Sequence, residues 1–390
     1  MNNQFAPTKS KRIALMSLFI DTLGFIIIIP VLPNLLTFYH TDYFMMALGM
    51  VLYSVFAIFS APLLGAISDK YGRKPVLLAS VFTSFLSSLI IGFGNTVIIY
   101  IIGRIVNGIA AGNITTIQSI LTDIAKDKKE RTNNFALFGM IFGLGFIVGP
   151  ALGARLLQWW IRMPFFVSAG ICFINMLFII RWMPETREVL EKAKKITIHL
   201  KHIFVDMFVS TEKKYYLTLM IITLAIMIYQ TSFTLFLHQK FGVPGEFSGY
   251  VLGFFGLIMI INQWFLFKNF WLKYFSNKQL ILMGIFWSFL CFAGAFFFNN
   301  MRVIIVLIWI SNIFQSIFRP VFQTIIIGER HEDIGLINGN ISNIMNLANI
   351  AWPLIGGVLI QAWISPFGLV ALLVLIAYIY ARMNKLHNVE

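Results

Sequence analysis

Long apolar runs are the feature that most constrains what this chain of 390 residues can fold into. A helix of about 20 apolar residues crosses the hydrocarbon core of a bilayer, and runs of that length recur from one end of the sequence to the other. Because 58% of the residues are hydrophobic and only 12% are charged, we predict a polytopic membrane protein. About twelve spans are predicted, over residues 13–36, 43–67, 75–94, 96–124, 133–157, 163–183, 215–238, 246–268, 279–298, 303–327, 333–361 and 364–381.

The basic charge of the chain follows the predicted membrane topology. A net charge of +14 would suggest a nucleic acid as the partner of a soluble protein. If the N terminus is cytoplasmic, however, most of the 30 Lys and Arg fall in cytoplasmic connections. The outer side holds only four, which are Arg155 at the end of the fifth span, Arg162, Lys240 and Arg302. Basic residues are retained on the inner side of membranes. We therefore expect a multi-pass protein of a bacterial inner membrane with both termini cytoplasmic, the lipid bilayer as partner and no nucleic acid.

The most specific motif is the polar segment Gly65-Ala-Ile-Ser-Asp69-Lys-Tyr-Gly72-Arg73-Lys74, between the second and third spans. Gly65 allows another helix to approach, and Gly72 permits a turn that a residue with a Cβ disfavours. Asp69 suits the positive N terminus of a neighbouring helix, whereas Arg73 and Lys74 suit the anionic inner leaflet. An ordinary positive-inside hairpin would need the basic residues but neither the acid nor the glycines. We therefore favour a functional turn.

This spacing resembles the signature loop between helices two and three of the major facilitator superfamily, whose members are transporters. The resemblance implies an all-α polytopic fold of about twelve transmembrane helices in two pseudo-symmetric six-helix bundles. It also implies alternating access, in which the two bundles rock around a central site. In that scheme we expect Asp69 to bind the N-terminal end of the eleventh helix, near Asp333 to Asn338, and to stabilise the outward-facing state.

Asp21 is the only acid well inside a predicted span, and a carboxylate there is costly unless it faces water or a partner. Its Asp-x-x-Gly and Pro-x-x-Pro surroundings resemble the first helix of the drug:proton antiporters, including the tetracycline exporters, although Ile26 replaces a second glycine of that family. Arg104 lies at a similar depth in an Arg-x-x-x-Gly-x-x-x-Gly pattern that resembles the antiporters' proton-coupling motif. We predict that Asp21 and Arg104 face one aqueous cavity and interact there, directly or through water. A permanently paired structural acid is the alternative.

The fifth span resembles the antiporter motif Gly-x-x-x-Gly-Pro-x-x-Gly, which is associated with exporters, through Gly145, Gly149, Pro150 and Gly153. Glycines on one stripe allow close helix packing, and a proline kinks a helix. The same span also carries Gly139 and Gly143. We expect these glycines to meet the eighth span, which offers Ser248, Gly249, Gly253 and Gly256. Packing alone would explain the glycines, but it explains the Gly-Pro pair less well.

The second half of the chain repeats the first. Lys70-Tyr71 corresponds to Lys273-Tyr274, and Pro150-Ala-Leu-Gly153 corresponds at the same offset to Pro353-Leu-Ile-Gly356. Duplicated six-helix units are typical of transporters, so we predict bundles over residues 1–183 and 215–390. The basic connection over 184–214 is predicted to form an amphipathic helix on the inner membrane surface, and a partner-binding helix is the alternative.

Several polar residues inside the spans are candidate cavity-lining groups. They are Asn107, Asn113, Gln118, Tyr229, Gln230, Asn262, Gln263, Asn312 and Gln315. Arg319 is the other deep cation, and three interpretations are open for it: it binds an anionic substrate, pairs with Glu329, or extends towards the membrane surface.

The favoured function is proton-coupled export, by antiport, of a small amphipathic compound or drug. Uptake of a metabolite or siderophore by proton symport is one alternative, and a non-transporting membrane sensor or scaffold is another. We predict no enzyme activity, cofactor or metal, because the sequence offers no nucleophile–base constellation or metal-ligand cluster, and we expect a monomer. Compared with the tetracycline exporters, Ser87 replaces a third-helix acid and Met259 an eighth-helix histidine, although Gln263 matches, so tetracycline itself is a poor candidate.

Overall fold

The computed structural model describes residues 7–28, 31–41, 43–109, 111–186, 213–242, 245–328, 334–361 and 365–384. Within these ranges the regular elements are helices, labelled here in chain order: α1 Pro7–Ile26, α2 Leu32–Phe38, α3 Tyr43–Tyr71, α4 Arg73–Phe93, α5 Val97–Ile109, α6 Asn113–Asp123, α7 Lys128–Trp159, α8 Met163–Trp182, α9 Lys213–Phe241, α10 Gly245–Ile261, α11 Asn277–Phe297, α12 Met301–Ile327, α13 Ile334–Gln361 and α14 Pro366–Met383. After Ile261, α10 continues as a π-helix over Asn262–Trp271 and ends in an α-helical turn at Leu272–Tyr274.

The helices coincide with the predicted spans. By length and composition, eight candidate spans are found among the described residues: α3 from Phe44, α4, α5 together with α6, α7, α8, α11, α12 and α14. The other four predicted spans correspond to α1 with α2, α9, α10 and α13. The amphipathic helix predicted in the 184–214 connection lies mostly outside the described residues.

Two spans that the hydropathy pattern predicts to be continuous are each divided into two helices. The first span ends as α1 at Ile26 and resumes as α2 at Leu32, where Pro33 lies in the first turn. Proline is tolerated there because the amide of a first-turn residue needs no helical partner. The fourth span is divided between α5 and α6, with Gly112 as the N-cap of α6. The second division starts a new helix in the interior of the span, with Asn113 as its first residue.

The second half of the chain has an aromatic core. Phe292, Phe318, Phe322 and Phe367 are all fully buried between helices α9, α11, α12 and α14. Phe135 and Ala136 of α7 belong to the same core, so α7 of the first half packs directly on the second half.

A close crossing of α3 and α13 also joins the halves. A Cβ at Gly65 would collide with the carbonyl oxygen of Gly335, and a Cβ at Gly339 would collide with the backbone of Pro62. The two helices meet with almost no side-chain separation because glycine occupies the contact positions. We call this end of the molecule, where α3 ends and α13 begins, the basic end, because Lys70, Arg73 and Lys74 lie here.

The glycines of α7 face two different helices, so the predicted contact with the eighth span is confirmed for Gly143 and wrong for Gly145 and Gly149. A Cβ at Gly145 would meet Thr22 of α1, and one at Gly149 would meet Ile26 of the same helix. Gly143, two residues from Gly145 and therefore on another face, is the position that meets Gly256 of α10. Gly149 thus provides the space that Ile26 fills.

We expect Gly149→Ala to lower the melting temperature of the purified protein by several degrees. The new methyl group would lie 2.5 Å from Cγ2 of Ile26, and overpacking of this kind costs about 1–3 kcal/mol. Gly170→Ala is the matched control, because a Cβ there meets nothing within 4 Å. The double variant Ile26→Gly/Gly149→Ala should recover part of the loss relative to the sum of the single changes. Equal melting temperatures for Gly149→Ala and the wild type would contradict this packing.

Candidate functional site

The carboxylate of Asp21 is bound at the division between α5 and α6. Nδ2 of Asn113 donates a hydrogen bond to Oδ2 of Asp21, and Oδ1 of Asn113 accepts one from the amide of Ile114 at 2.9 Å. Asn113 is the first residue of α6, so the carboxylate is bound at the start of this helix. Asn113, predicted as general cavity lining, is therefore the direct partner of the intramembrane acid.

Arg104 does not form the direct ion pair with Asp21 that the sequence predicted as one of two forms of interaction. The side chain is buried in α5, its Nε donates to the hydroxyl of Tyr100 at 3.2 Å, and its guanidinium lies 5.2 Å from the centroid of that ring. Within the described ranges no salt bridge joins it to Asp21. Tyr53 of α3 is within electrostatic range of both charges. The acid and the base therefore have different direct partners in the structure, Asn113 and Tyr100. Tyr53 itself was not predicted, because a lone tyrosine in an apolar span belongs to no recognisable motif.

The other predicted polar residues of the first half are close to the same helices. Oδ1 of Asn107 accepts a weak hydrogen bond from Ser84 Oγ at 3.4 Å. Gln118 is buried in α6, and its Oε1 has no hydrogen-bond partner among the described residues.

Four predicted lining residues of the second half form hydrogen bonds between helices. The hydroxyl of Tyr229 on α9 donates to Oδ1 of Asn312 on α12 at 2.8 Å. Asn262 donates to Ser316 Oγ at 2.6 Å, and Gln263 donates to the Ser316 carbonyl at 3.2 Å. Buried polar groups need such partners. These residues therefore connect α9 and the π-helix to α12.

The remaining predicted lining residues lie on the same helices. Gln315 donates to Ser311 Oγ one turn away at 2.5 Å, and Gln230 is half-buried on α9. Arg319 lies on α12, where its guanidinium contacts the sulfur of Met345 on α13.

At the basic end, the Arg73 side chain is fully buried between two acids. Nη1 lies 2.7 Å from Oδ1 of Asp69, and Nε lies 2.8 Å from Oδ2 of Asp123, the last residue of α6. Nη1 also donates to Ser68 Oγ at 2.7 Å. A buried guanidinium is stable only when its charge and its N–H groups are paired in this way. Arg73 thereby joins the ends of α3, α4 and α6.

Asp69 extends this network into the second half. Its carboxylate accepts hydrogen bonds from the amide of Gly335 at 2.9 and 3.1 Å and from that of Leu336 at 3.3 Å. The first amides of a helix have no partner within the helix, so Asp69 both satisfies α13 and interacts with its positive end. This is the contact that the sequence predicted, although Asp333 itself lies outside the described residues.

Glu185, which follows α8, caps the N terminus of α4. Its carboxylate accepts from the amide of Arg73 at 2.8 Å and from that of Lys74 at 3.1 Å. Gly72 has a φ of +102°, and a Cβ there would lie 2.5 Å from the Glu185 carboxylate. Both the backbone conformation and the lack of space therefore require glycine at this position. The Nζ of Lys74 donates to the carbonyl of Ile180 at 2.9 Å, which also joins the start of α4 to the end of α8.

Neither Asp123 nor Glu185 was predicted as part of the site. The available signal was that each is an acid at the end of a span, next to a basic connection. Pairing with Arg73 from 50 and 112 residues away could not be inferred from this position.

Three more contacts close the basic end between the halves. Nη1 of Arg131 donates to the carbonyl of Gly328, and the hydroxyls of Thr132 and Thr324 are 2.9 Å apart. Nδ2 of Asn338 on α13 donates to Ser119 Oγ on α6 at 3.2 Å. Together with Asp69, these contacts make this end of the molecule closed. In the parts of the chain that the structure describes, no group of three or more His, Cys, Asp or Glu is placed to hold a metal ion.

Known proteins are similar to this chain in sequence and in fold. Multidrug resistance protein 2 of Bacillus subtilis (strain 168) is 26% identical over 353 residues, which cover 89% of this chain and 88% of the relative. Tetracycline resistance protein, class B, of Escherichia coli is 27% identical over 361 residues, 90% of this chain and 88% of the relative. The crystal structure of the human organic anion transporter MFSD10 (TETRAN) has the same fold, with a TM-score of 0.86 at 19% identity over 97% of this chain and 100% of that one. The family model of the Major Facilitator Superfamily matches residues 14–268, and the chain therefore belongs to this superfamily of membrane transporters.

Proposed function

We propose that the protein exports a small amphipathic compound in exchange for protons and that it does so by alternating access. The observation that carries this proposal is the intramembrane carboxylate of Asp21, bound by Asn113 at the start of a divided helix. The names of the multidrug and tetracycline resistance relatives support export. Exchange follows if the proton and a basic group of the compound compete for the same carboxylate, since binding of one releases the other. The transporter acts as a monomer in this scheme.

The short helix α6 connects the acid to the basic end. Asn113 at its first residue binds Asp21, Asp123 at its last binds Arg73, and Ser119 between them contacts Asn338 of the second half. Eleven residues at about 1.5 Å each make α6 a rigid element on the order of 16 Å long. Protonation of Asp21 removes the charge that faces the N terminus of α6. In our scheme the helix then shifts and weakens the contacts at its other end.

The closed basic end corresponds to the outward-facing state. The excess of Lys and Arg at this end supports a cytoplasmic location, and in our scheme closure there leaves access from outside. Breaking the bond between Asp69 and α13 would separate the halves at the cytoplasmic side and allow the compound to bind from the cell interior.

Asp21→Asn is expected to abolish proton-driven transport. We would follow rhodamine 123, an amphipathic cation, in inverted membrane vesicles with an acidic interior. The wild type should accumulate the dye, and Asp21→Asn should accumulate it at least tenfold more slowly, since an amide carries no exchangeable carboxyl proton. Asp127→Asn is the control, because Asp127 is an exposed acid at the start of α7. Gradient-driven loss of dye from wild-type vesicles would indicate uptake instead, and no gradient-dependent flux would indicate a sensor or scaffold.

Glu185→Gln is expected to loosen the closed end. In a variant lacking the two buried cysteines, Ser119→Cys places a thiol in the contact between α6 and α13. Weakening a charge-assisted hydrogen bond, worth about 1.5–3 kcal/mol, should raise the rate of maleimide labelling about threefold or more. Asp127→Asn is again the control, because Asp127 also caps a helix, through the amide of Glu130 at 2.6 Å, but not the one that carries Arg73. Equal labelling rates in Glu185→Gln and the control would remove Glu185 from the closure.

A further inference from the structure

Arg319 lies on the polar face of α12, away from the lipid. Val306 and Ile310 are exposed apolar residues of this helix. Arg319 is nine positions after Ile310, which is two and a half turns, so it lies on the opposite side. The polar side chains at helical spacing on that opposite side are Asn312, Gln315, Ser316, Arg319 and Gln323.

The exposed surface of Arg319 belongs to the interior of the molecule. Its neighbours Phe318 and Pro320 are buried, whereas Arg319 itself is exposed. Because it lies opposite the lipid-facing residues, the space that it reaches is the space between the helices. The cavity of the proposed transport cycle would therefore be lined here by a cation.

The charge of Arg319 has no anionic partner among the described residues. The contact of its guanidinium is with the thioether of Met345, which is neutral and a weak acceptor. Gln323 follows one turn later on the same face, is buried, and its Nε2 also has no acceptor within the described ranges. Two adjacent side chains thus present N–H donors without an oxygen acceptor to receive them.

We propose that the transported compound carries a carboxylate and that Arg319, assisted by Gln323, binds it. A guanidinium is costly inside a membrane unless it is paired, and its planar N–H groups match the two oxygens of a carboxylate. This inference rests on the proposed function, because it assigns the substrate class of the same cavity. The compound would then be zwitterionic, with its basic group near Asp21 in the first half and its acid near Arg319 in the second.

Two dyes with one scaffold test the assignment. Rhodamine 110 has a free carboxylate, and rhodamine 123 is its methyl ester. Fluorescence anisotropy with the purified protein in detergent measures both affinities in the absence of any gradient. We expect the wild type to bind rhodamine 110 about tenfold more tightly, as for a charged hydrogen-bonded pair. Arg319→Gln should remove this preference and leave the affinity for rhodamine 123 within about twofold, whereas Arg319→Lys should retain part of it.

Two further outcomes decide between this subsite and its alternatives. Glu329, outside the described residues, is another possible partner of Arg319, so Glu329→Gln is included and should leave the preference unchanged. If Glu329→Gln alters dye binding as much as Arg319→Gln, the arginine is paired within the protein and the assignment fails. Equal affinity of the wild type for the two dyes, or no affinity for either, also overturns it. The failure of proton-driven rhodamine 123 transport would instead reject the proposed function, because the binding measurement needs no gradient.

Discussion

The structure depends on the pairing of one buried cation. Arg73 is fully enclosed, and its guanidinium lies between Asp69 of α3 and Asp123 of α6. Removing both acids would leave the buried charge of Arg73 uncompensated, which is far more costly than losing a surface ion pair. The same arrangement orients Asp69 towards the first amides of α13. One buried charge thus organises the first half at the basic end and joins it to the second half.

The divided fourth span connects the Arg73 network at the basic end to the intramembrane acid Asp21. A continuous helix from Val97 to Asp123 would have no free N terminus in its interior, because each amide there would bond to a carbonyl four residues earlier. The break at Gly112 exposes a helix start beside Asp21 and makes α6 a separate element. The two ends of α6 therefore bind the two most important charged groups of the first half. In the proposed transport cycle, a change in charge at one end acts on the other through this short helix.

The sequence predicted the elements whose chemistry is local. The spacing of Gly65, Asp69 and Gly72 predicted a helix crossing and an acid at a helix N terminus, because each residue type suits only a few backbone environments. The sequence indicated a role for Asp21 because a carboxylate inside an apolar span is costly unless it faces water or a partner. Asn113 was predicted only as cavity lining and not as the partner of Asp21, since hydropathy along an apolar span does not show which side faces a neighbour.

The unpredicted features are long-range contacts. Glu185 caps α4 because the end of α8 lies beside the start of α4, and a sequence pattern cannot report that distance. Gly145 and Gly149 accommodate Thr22 and Ile26 of α1, so the isoleucine that departs from the antiporter pattern is matched by space on another helix. Such compensation depends on two helices at once and is visible only after they are packed.

The distance between the two halves at the basic end is the most direct test of the central claim that Asp69 holds this end closed. Spin labels at the exposed positions Lys129 and Lys273 would report this distance in the first and second halves, respectively. In the protein that retains Asp69, we predict one dominant short distance by double electron–electron resonance. In Asp69→Asn, a second population at longer distance should appear at the expense of the first. Identical distance distributions in the two proteins would contradict the account.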